Sequence, residues 1–254
     1  MNRIVLLGAS NLTLSFCRLV DGLGQALESP LEIRAAHGHG RSYGEWSCVL
    51  GRALPGIADC RLWEDLDRVP AADSMRALVT DIGNDILFGV EVERVLGWVR
   101  VCLDRLQAQG ARTVMTSLPM ASLANLSRAR FLCARACFFP QSRLTLPDVQ
   151  RLAEELEAGI IALGEREGVT LVEPEGDWYG LDPIHIRPGL KNAAWQSIFA
   201  EWWDEQGVPA FPRVRIHRAI EAWRWRPAER VWRGCLELAG QPIYRDNGTS
   251  VWLY

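Results

Sequence analysis

The chain has no long hydrophobic stretch, almost no lysine and no strong excess of charge. Its longest apolar stretches, such as residues 4–7 and 160–163, are far shorter than the roughly 20 residues that a transmembrane helix requires. Residues 1–8 carry one arginine followed by four apolar residues, too few for the hydrophobic part of a secretory signal peptide. We therefore predict no integral membrane segment and a cytoplasmic location.

Charge of neither sign dominates the chain. It has 28 lysine and arginine residues against 31 aspartate and glutamate residues, which gives a formal net charge of −3. Only Lys191 is a lysine, which we attribute to coding bias. Nucleic-acid-binding domains carry a strongly basic face, so this balance argues against a nucleic-acid partner. With 48% hydrophobic and 23% charged residues, the composition is that of a globular chain rather than a disordered one.

The cysteines and histidines form no pattern typical of a metal site or a disulfide framework. The seven cysteines are odd in number and irregularly spaced. His37 and His39 would share one face of a strand, but the sequence supplies no third ligand, and zinc takes three or four protein ligands. We therefore predict no metal and no cofactor, and we favour one of these two histidines lining a site instead.

Short apolar runs alternate with longer amphipathic segments along most of the chain. The apolar runs predict five strands, at residues 4–7, 31–36, 77–82, 113–116 and 169–172. Apolar residues at helical spacing predict helices at residues 14–27, 90–106, 147–168 and 190–203. Such alternation predicts an α/β fold, with a parallel five-stranded sheet covered by helices on both faces.

Two segments lie outside this alternation. Residues 120–146 predict a helical insertion above the edge of the sheet. Residues 206–254 are rich in arginine and tryptophan, and the Asn-Gly pair at 247–248 predicts a turn between two short strands. We predict a domain at residues 1–205 and an extension at residues 206–254 that packs on it, either docked or as the contact of a homo-oligomer.

Polar residues follow the predicted strands at their carboxyl ends, where open α/β sheets bind ligands. They include Ser10 after the first strand and, beyond the fifth, Asp182 three residues before His185. A serine hydroxyl becomes a good nucleophile when a neighbouring base removes its proton, and His185 suits that task near neutral pH. Asp182 lies about one turn earlier and would fix the tautomer of the imidazole. We therefore predict a Ser10–His185–Asp182 catalytic triad for acyl transfer.

The negative oxygen formed during such a reaction requires hydrogen-bond donors that are already in place. Candidates are the backbone N–H groups of Ser10 and Gly40 and the side-chain amide of Asn84. Gly38 and Gly44 are alternatives to Gly40, because each lies in the same glycine-rich loop region.

Taken in order, these loops resemble the four blocks of the SGNH (GDSL-type) hydrolase family. The segments GASNL at residues 8–12, GRS at 40–42, GND at 83–85 and DPIH at 182–185 resemble the first to fourth blocks. The resemblance implies a three-layer α/β/α flavodoxin-like fold and a serine hydrolase that cleaves esters of small molecules. It gives Ser10, Gly40 and Asn84 the roles of oxyanion donors, with Ser10 also the nucleophile.

The chain departs from this family at two places. Ala9 stands where the family usually has an aspartate that tethers the nucleophile loop, and Ile82 stands where the third block usually begins with glycine. Segment 206–254 has no counterpart in the minimal family pattern.

Other interpretations of the same residues remain. Ser10 is also a suitable residue to cap a helix, and Asn84 is a suitable residue for a turn. A dinucleotide site is disfavoured because the full G-x-G-x-x-G pattern is absent. Alternatives to an esterase for a small acyl group are an acyltransferase that uses the same triad and a non-catalytic binding module on the same fold.

Overall fold

The computed structural model describes residues 1–203, 207–214 and 216–254, which form two β-sheets and nine α-helices. The strands are β1 Asn2–Leu7, β2 Leu31–Ala36, β3 Ser47–Val49, β4 Arg52–Leu54, β5 Ser74–Val79, β6 Arg112–Thr116, β7 Thr170–Val172, β8 Glu229–Trp232, β9 Cys235–Leu238, β10 Tyr244–Asp246 and β11 Thr249–Leu253. The helices are α1 Ser10–Ala26, α2 Leu62–Arg68, α3 Asn84–Leu87, α4 Val92–Ala108, α5 Met120–Ala124, α6 Arg128–Phe138, α7 Leu146–Glu167, α8 Lys191–Phe199 and α9 Ile216–Trp223.

The main sheet has the strand order β10-β11-β2-β1-β5-β6-β7, and every neighbouring pair is parallel except β10 with β11. Within it, β2-β1-β5-β6-β7 is the flavodoxin-like order of five strands. The direction of winding reverses at β1, whose neighbours β2 and β5 follow it in the chain. Ligands of such sheets bind at the carboxyl ends of the strands beside this reversal.

Helices cover both faces of the sheet, as the alternation in sequence predicts. Along β1, Ile4 and Leu6 belong to the core that includes α1 and α8, whereas Val5 and Leu7 belong to the core that includes α2, α4 and α7. All four side chains are fully buried. A strand buried on both faces must be apolar at every position, which is why this run lacks the alternation of a half-exposed strand. The α/β fold class and the flanking helices are confirmed.

The predicted strand count of five is wrong, because the main sheet has seven strands. The additional strands, β10 and β11, come from segment 206–254, and they turn at Asn247 and Gly248, both with positive φ. β11 pairs in parallel with β2, with Val251 opposite Ile33. It thereby covers an edge of β2 that would otherwise present unpaired backbone groups.

The second sheet is small and antiparallel, with the order β3-β4-β8-β9. It joins the hairpin at residues 47–54 to residues 229–238 of segment 206–254. That segment therefore contributes strands to both sheets. Its treatment as a separate unit beginning at residue 206 stays a prediction.

The predicted insertion at residues 120–146 contains α5 and α6 and the start of α7. A small apolar cluster of Leu126, Phe131 and Val149 holds these helices together. The start of α7 is capped by Thr145 and Asp148, each of which accepts a hydrogen bond from the backbone of the other. None of the helices in the described ranges has the length and hydrophobicity that a bilayer-spanning helix needs.

Candidate active site

Ser10 is the first residue of α1 and lies just beyond the carboxyl end of β1. Its side chain is buried and lines a cavity at the edge of the sheet. The N-terminus of a helix carries a partial positive charge from its unpaired N–H groups, which favours a negative charge developing there. The structure therefore places Ser10 at the predicted end of the first strand, where the winding of the sheet reverses.

Asp182 and His185 form a hydrogen-bonded pair in the loop that follows β7. Nδ1 of His185 lies 2.7 Å from Oδ2 of Asp182. The other carboxylate oxygen accepts hydrogen bonds from the backbone N–H groups of Ile184 and His185, at 2.9 and 3.1 Å. Partial burial alone would raise the pKa of Asp182, but the hydrogen bonds from His185 and Ile184 outweigh it and hold that pKa below its usual range. Asp182 is thus a carboxylate that orients the imidazole.

Asn11 ties the histidine loop to the start of α1. Its Nδ2 donates to the carbonyl oxygen of Ile184 at 3.0 Å, and its Oδ1 accepts from the N–H of Ile186 at 2.9 Å. The residues on both sides of His185 are therefore fixed to the residue that follows Ser10. Among the described residues, His185 forms no hydrogen bond with the Ser10 hydroxyl; such contacts are often long when no substrate is bound.

Asp81 is a site residue that the sequence analysis missed. Its carboxylate, at the carboxyl end of β5, accepts hydrogen bonds from the backbone N–H groups of Ala9 and Asn11, both at 3.0 Å, and of Leu12 at 3.2 Å. Asp81 therefore caps the helix that begins at Ser10. Two features of the sequence could have indicated this role. Asp81 is an acidic residue close after the apolar run at 77–79, and position 9 lacks the aspartate that would otherwise tether the loop of Ser10.

Asn84 lies at the start of α3 and lines the same cavity as Ser10. Its side chain is buried, and its Nδ2 has no hydrogen-bond partner in the described part of the chain. A buried donor without a partner costs roughly 1–3 kcal/mol. An acceptor that binds at Asn84 would recover part of this cost.

The glycines of the second predicted block have different environments. A Cβ at Gly38 would overlap the Leu54 side chain, and a Cβ at Gly44 would overlap Trp98. Gly40 adopts φ +59°, a left-handed conformation that most other residues avoid, and a Cβ there would lie 2.9 Å from Val49. Close packing thus explains why glycine occupies positions 38 and 44. At position 40 the left-handed backbone conformation explains it.

Arg41 anchors the loop that contains Gly40. Its fully buried guanidinium donates to the carbonyl oxygens of Pro55, at 3.1 Å, of His37, at 3.3 Å, and of Tyr254. Burial lowers the pKa of Arg41 from its usual value. Three chain segments therefore converge on this one side chain.

Asp85 links the second and third predicted blocks. Its Oδ2 accepts the backbone N–H of Tyr43 at 2.9 Å, and burial raises the pKa of Asp85 to about 6. The loops of Gly40 and Asn84 are thus held together by a buried carboxyl group.

The two histidines near the second block occupy different environments. His37 packs against Phe16 of α1, with ring centroids 4.3 Å apart, and its Nδ1 lies 3.0 Å from the Thr13 hydroxyl. His39 interacts electrostatically with His185 and Asp81, and partial burial lowers its pKa. No group of three or more metal-ligating side chains occurs within the described ranges. Because it interacts with His185 and Asp81, His39 is the one of the two histidines that lies near the candidate site.

His37 is expected to make the protein sensitive to acid. Burial lowers the pKa of His37 from 6.5 to about 3, so the folded protein keeps this ring neutral while the unfolded chain protonates it below pH 6.5. Its contribution to stability is complete above pH 6.5 and is lost as the pH falls towards 3. Between pH 7 and pH 5, protonation of His37 in the unfolded chain should lower the unfolding free energy of the wild type by about 2 kcal/mol. His37→Gln should lack this part of the decrease.

Urea unfolding of both proteins at the two pH values measures this difference. His39→Gln is the matched control, and we expect a smaller change because His39 is less buried than His37. Equal pH dependence in wild type and His37→Gln would contradict the expectation.

The cavity beside Ser10 has a volume of about 160 Å³ and is mainly apolar. The polar residues that line it include Ser10, Asn11, Asp81 and Asn84. The remaining walls come from the insertion, the loops after β6 and β7, and α8, and include Leu118, Met120, Leu123, Phe131, Phe139, Trp178, Ile186 and Trp195. An apolar cavity next to a few convergent polar groups is typical of a small-molecule site.

Solved structures with a similar fold include an aryl esterase and a GDSL-like lipase. The native aryl esterase of M. smegmatis has 16% sequence identity and a TM-score of 0.52, over 79% of this chain and 97% of that chain. A GDSL-like lipase from Bacteroides thetaiotaomicron VPI-5482 has 14% identity and a TM-score of 0.50, over 79% of this chain and 86% of that chain. No family model and no curated protein matches the sequence. At these identities the likeness establishes the fold, and it confirms the expected SGNH hydrolase fold.

Proposed function

We propose that the protein is a serine esterase that cleaves a carboxylic ester of a small acyl group. The observation that supports this proposal is the pair of hydrogen bonds that Asn11 donates to Ile184 and accepts from Ile186, because they tie both neighbours of His185 to the residue that follows Ser10. The two similar structures are an aryl esterase and a GDSL-like lipase, which supports the same class of reaction.

The first half of the reaction forms an acyl-enzyme. Nδ1–H of His185 donates to Asp182, which leaves Nε2 free to accept a proton. Oγ of Ser10 attacks the ester carbonyl carbon while Nε2 takes the hydroxyl proton. The C–O bond to the alcohol then breaks, and the same proton passes from Nε2 to the departing oxygen.

The second half releases the acid. A water molecule gives a proton to Nε2 of His185 and attacks the acyl carbon, and the bond to Oγ breaks as Ser10 recovers a proton. In both halves the negative oxygen is bound by Nδ2 of Asn84, by the N–H of Ser10 and by the N–H of Gly40. We choose Gly40 over Gly38 and Gly44 because, of the three, only Gly40 has a left-handed backbone conformation.

A fluorophosphonate probe tests the nucleophile directly. We expect covalent labelling of the wild-type protein, and mass spectrometry of its peptides should locate the label on Ser10. A label on another residue would remove Ser10 from its role. Complete failure to label or to hydrolyse short aryl esters would instead favour a binding module on this fold.

The size of the cavity limits the acyl group. A cavity of about 160 Å³ is close to that of an engineered apolar cavity, roughly 150 Å³, that holds benzene. Acyl groups of about six carbon atoms should therefore fit. Each methylene group buried should raise kcat/KM by roughly fourfold, since it contributes about 0.8 kcal/mol. We expect kcat/KM for aryl esters to rise from acetyl to about hexanoyl and then to fall.

A variant that fills the cavity checks this assignment. Ala134 of α6 lines the cavity, so Ala134→Phe should shift the optimum to shorter acyl groups. Ala136 is on the same helix but is exposed, and Ala136→Phe is the matched control with an unchanged optimum. An identical chain-length profile for Ala134→Phe and wild type would place the acyl group elsewhere.

A further inference from the structure

Asp81 has a backbone conformation that is uncommon among residues other than glycine. It has φ +59°, in the left-handed region, although it is not a glycine. Such residues are uncommon and carry a conformational cost, and they persist where the surrounding structure compensates for it. At Asp81 the compensation consists of the hydrogen bonds of its side chain.

The Asp81 carboxylate uses its two oxygens for different tasks. Oδ2 accepts the backbone N–H groups of Ala9, Asn11 and Leu12, which surround Ser10. A carboxylate at a helix N-terminus is also favoured by the helix dipole. Oδ1 accepts a hydrogen bond from Nδ2 of Asn11 at 2.9 Å.

The second of these bonds orients Asn11. Because Nδ2 donates to both Asp81 and Ile184, the amide oxygen of Asn11 faces the N–H of Ile186. A continuous set of hydrogen bonds thus runs from Asp81 through Asn11 to both neighbours of His185. The same carboxylate fixes the backbone on both sides of Ser10.

We propose that Asp81 is a positioning residue that sets Ser10 and His185 in their reactive arrangement. It supplies, from the end of β5, the carboxylate that is missing at position 9. This inference rests on the proposed esterase activity, in which Ser10 and His185 exchange a proton. Asp81 acts through Asn11 and the backbone of α1, and it takes no part in the proton transfer itself.

Asp81→Asn is the most informative substitution because it keeps the size of the side chain. The amide retains one oxygen to accept the N–H groups of α1, but its NH2 group would face Nδ2 of Asn11, which is also a donor. The Asn11 amide would then lose its fixed orientation. A misplacement of about 1 Å in an active site can cost roughly 100-fold in rate, so we expect kcat to fall by about 10- to 100-fold with KM nearly unchanged.

The measurement combines ester kinetics with the melting temperature. Rates are taken well below the melting temperature and are divided by the fraction of folded protein. The matched control is Asp148→Asn, because Asp148 also caps a helix by accepting the N–H of Thr145, at 2.9 Å, at the start of α7. We expect Asp148→Asn to lower the melting temperature and leave kcat per folded molecule unchanged.

Asn11→Ala provides a second test that leaves the Asp81 cap of α1 in place. It should also lower kcat, and the double variant Asp81→Asn/Asn11→Ala should be no slower than the slower single variant. Non-additivity is expected because both residues act through one set of hydrogen bonds. If Asp81→Asn does not fold, Asn11→Ala alone decides the question.

Two results would overturn the proposal. One is a normal kcat per folded molecule in Asp81→Asn or Asn11→Ala, which would leave a purely structural cap. The other is a double variant whose fold decrease in kcat equals the product of the decreases in the two single variants. Absence of ester hydrolysis and probe labelling in the wild type would instead refute the proposed function, so the two failures are distinguishable.

Discussion

Ser10→Ala is expected to lower kcat for ester hydrolysis by at least about 10⁴-fold, because the acyl-enzyme cannot form without the hydroxyl oxygen. KM should change little, since the apolar cavity that we propose for the acyl group remains. The substitution removes one buried oxygen and no described hydrogen bond, so the melting temperature should stay close to that of the wild type. Steady-state hydrolysis of a short-chain aryl ester measures the rate.

Ser15→Ala is the matched control for this prediction. Ser15 lies in the same helix, is buried, and has a hydroxyl without a hydrogen-bond partner in the described part of the chain. It does not line the cavity. We expect full activity for Ser15→Ala. Comparable activity of both variants would mean that the nucleophile is not Ser10.

Asp182→Asn is the second substitution with a large expected effect. The carboxylate lies within hydrogen-bond distance of Nδ1 of His185, and in the proposed mechanism it holds the Nδ1–H tautomer, in which Nε2 acts as the base. An asparagine amide can turn its NH2 group towards Nδ1 and stabilise the opposite tautomer, with the proton on Nε2. By analogy with other triads, kcat should fall by about 10⁴-fold.

The fold should tolerate Asp182→Asn, because the asparagine oxygen still accepts one of the backbone N–H groups of Ile184 and His185. Asp177→Asn, five residues earlier in the chain, is the control and should retain full activity. Kinetics and circular dichroism of both variants separate a catalytic loss from a folding defect. An unaffected rate in Asp182→Asn would mean that another group orients His185.

Local sequence carries most of the information about the parallel sheet. β2 was predicted with its exact bounds, and β1, β6 and β7 within two residues, because apolar residues recur within each of these short segments. β5 lies three residues earlier than predicted, at Ser74–Val79 rather than 77–82. Polar side chains at Ser74 and Arg76 hide the start of this strand, and the polar residues Thr80 and Asp81 end it.

Contacts between distant segments could not be predicted in the same way. The pairing of β11 with β2 joins residues more than 200 positions apart, and nothing local in either strand specifies the partner. The hydrogen bonds between Asp81 and Asn11 likewise join residues 70 positions apart. By contrast, Asp182 and His185 are three residues apart, so the spacing itself predicts their pairing. The sequence therefore predicted the hydrogen bond between Asp182 and His185, but not the role of Asp81 at the start of α1.

The buried guanidinium of Arg41 sets an order for the maturation of the protein. It donates to the carbonyl group of Tyr254, which lies 213 residues later in the chain. During synthesis the loop of Gly40 emerges early, yet its anchor is completed only when residue 254 has left the ribosome. Nascent chains should therefore be able to pair β1, β2, β5, β6 and β7 before Tyr254 anchors the loop of Gly40, so that any activity that depends on this loop should appear after those five strands have paired.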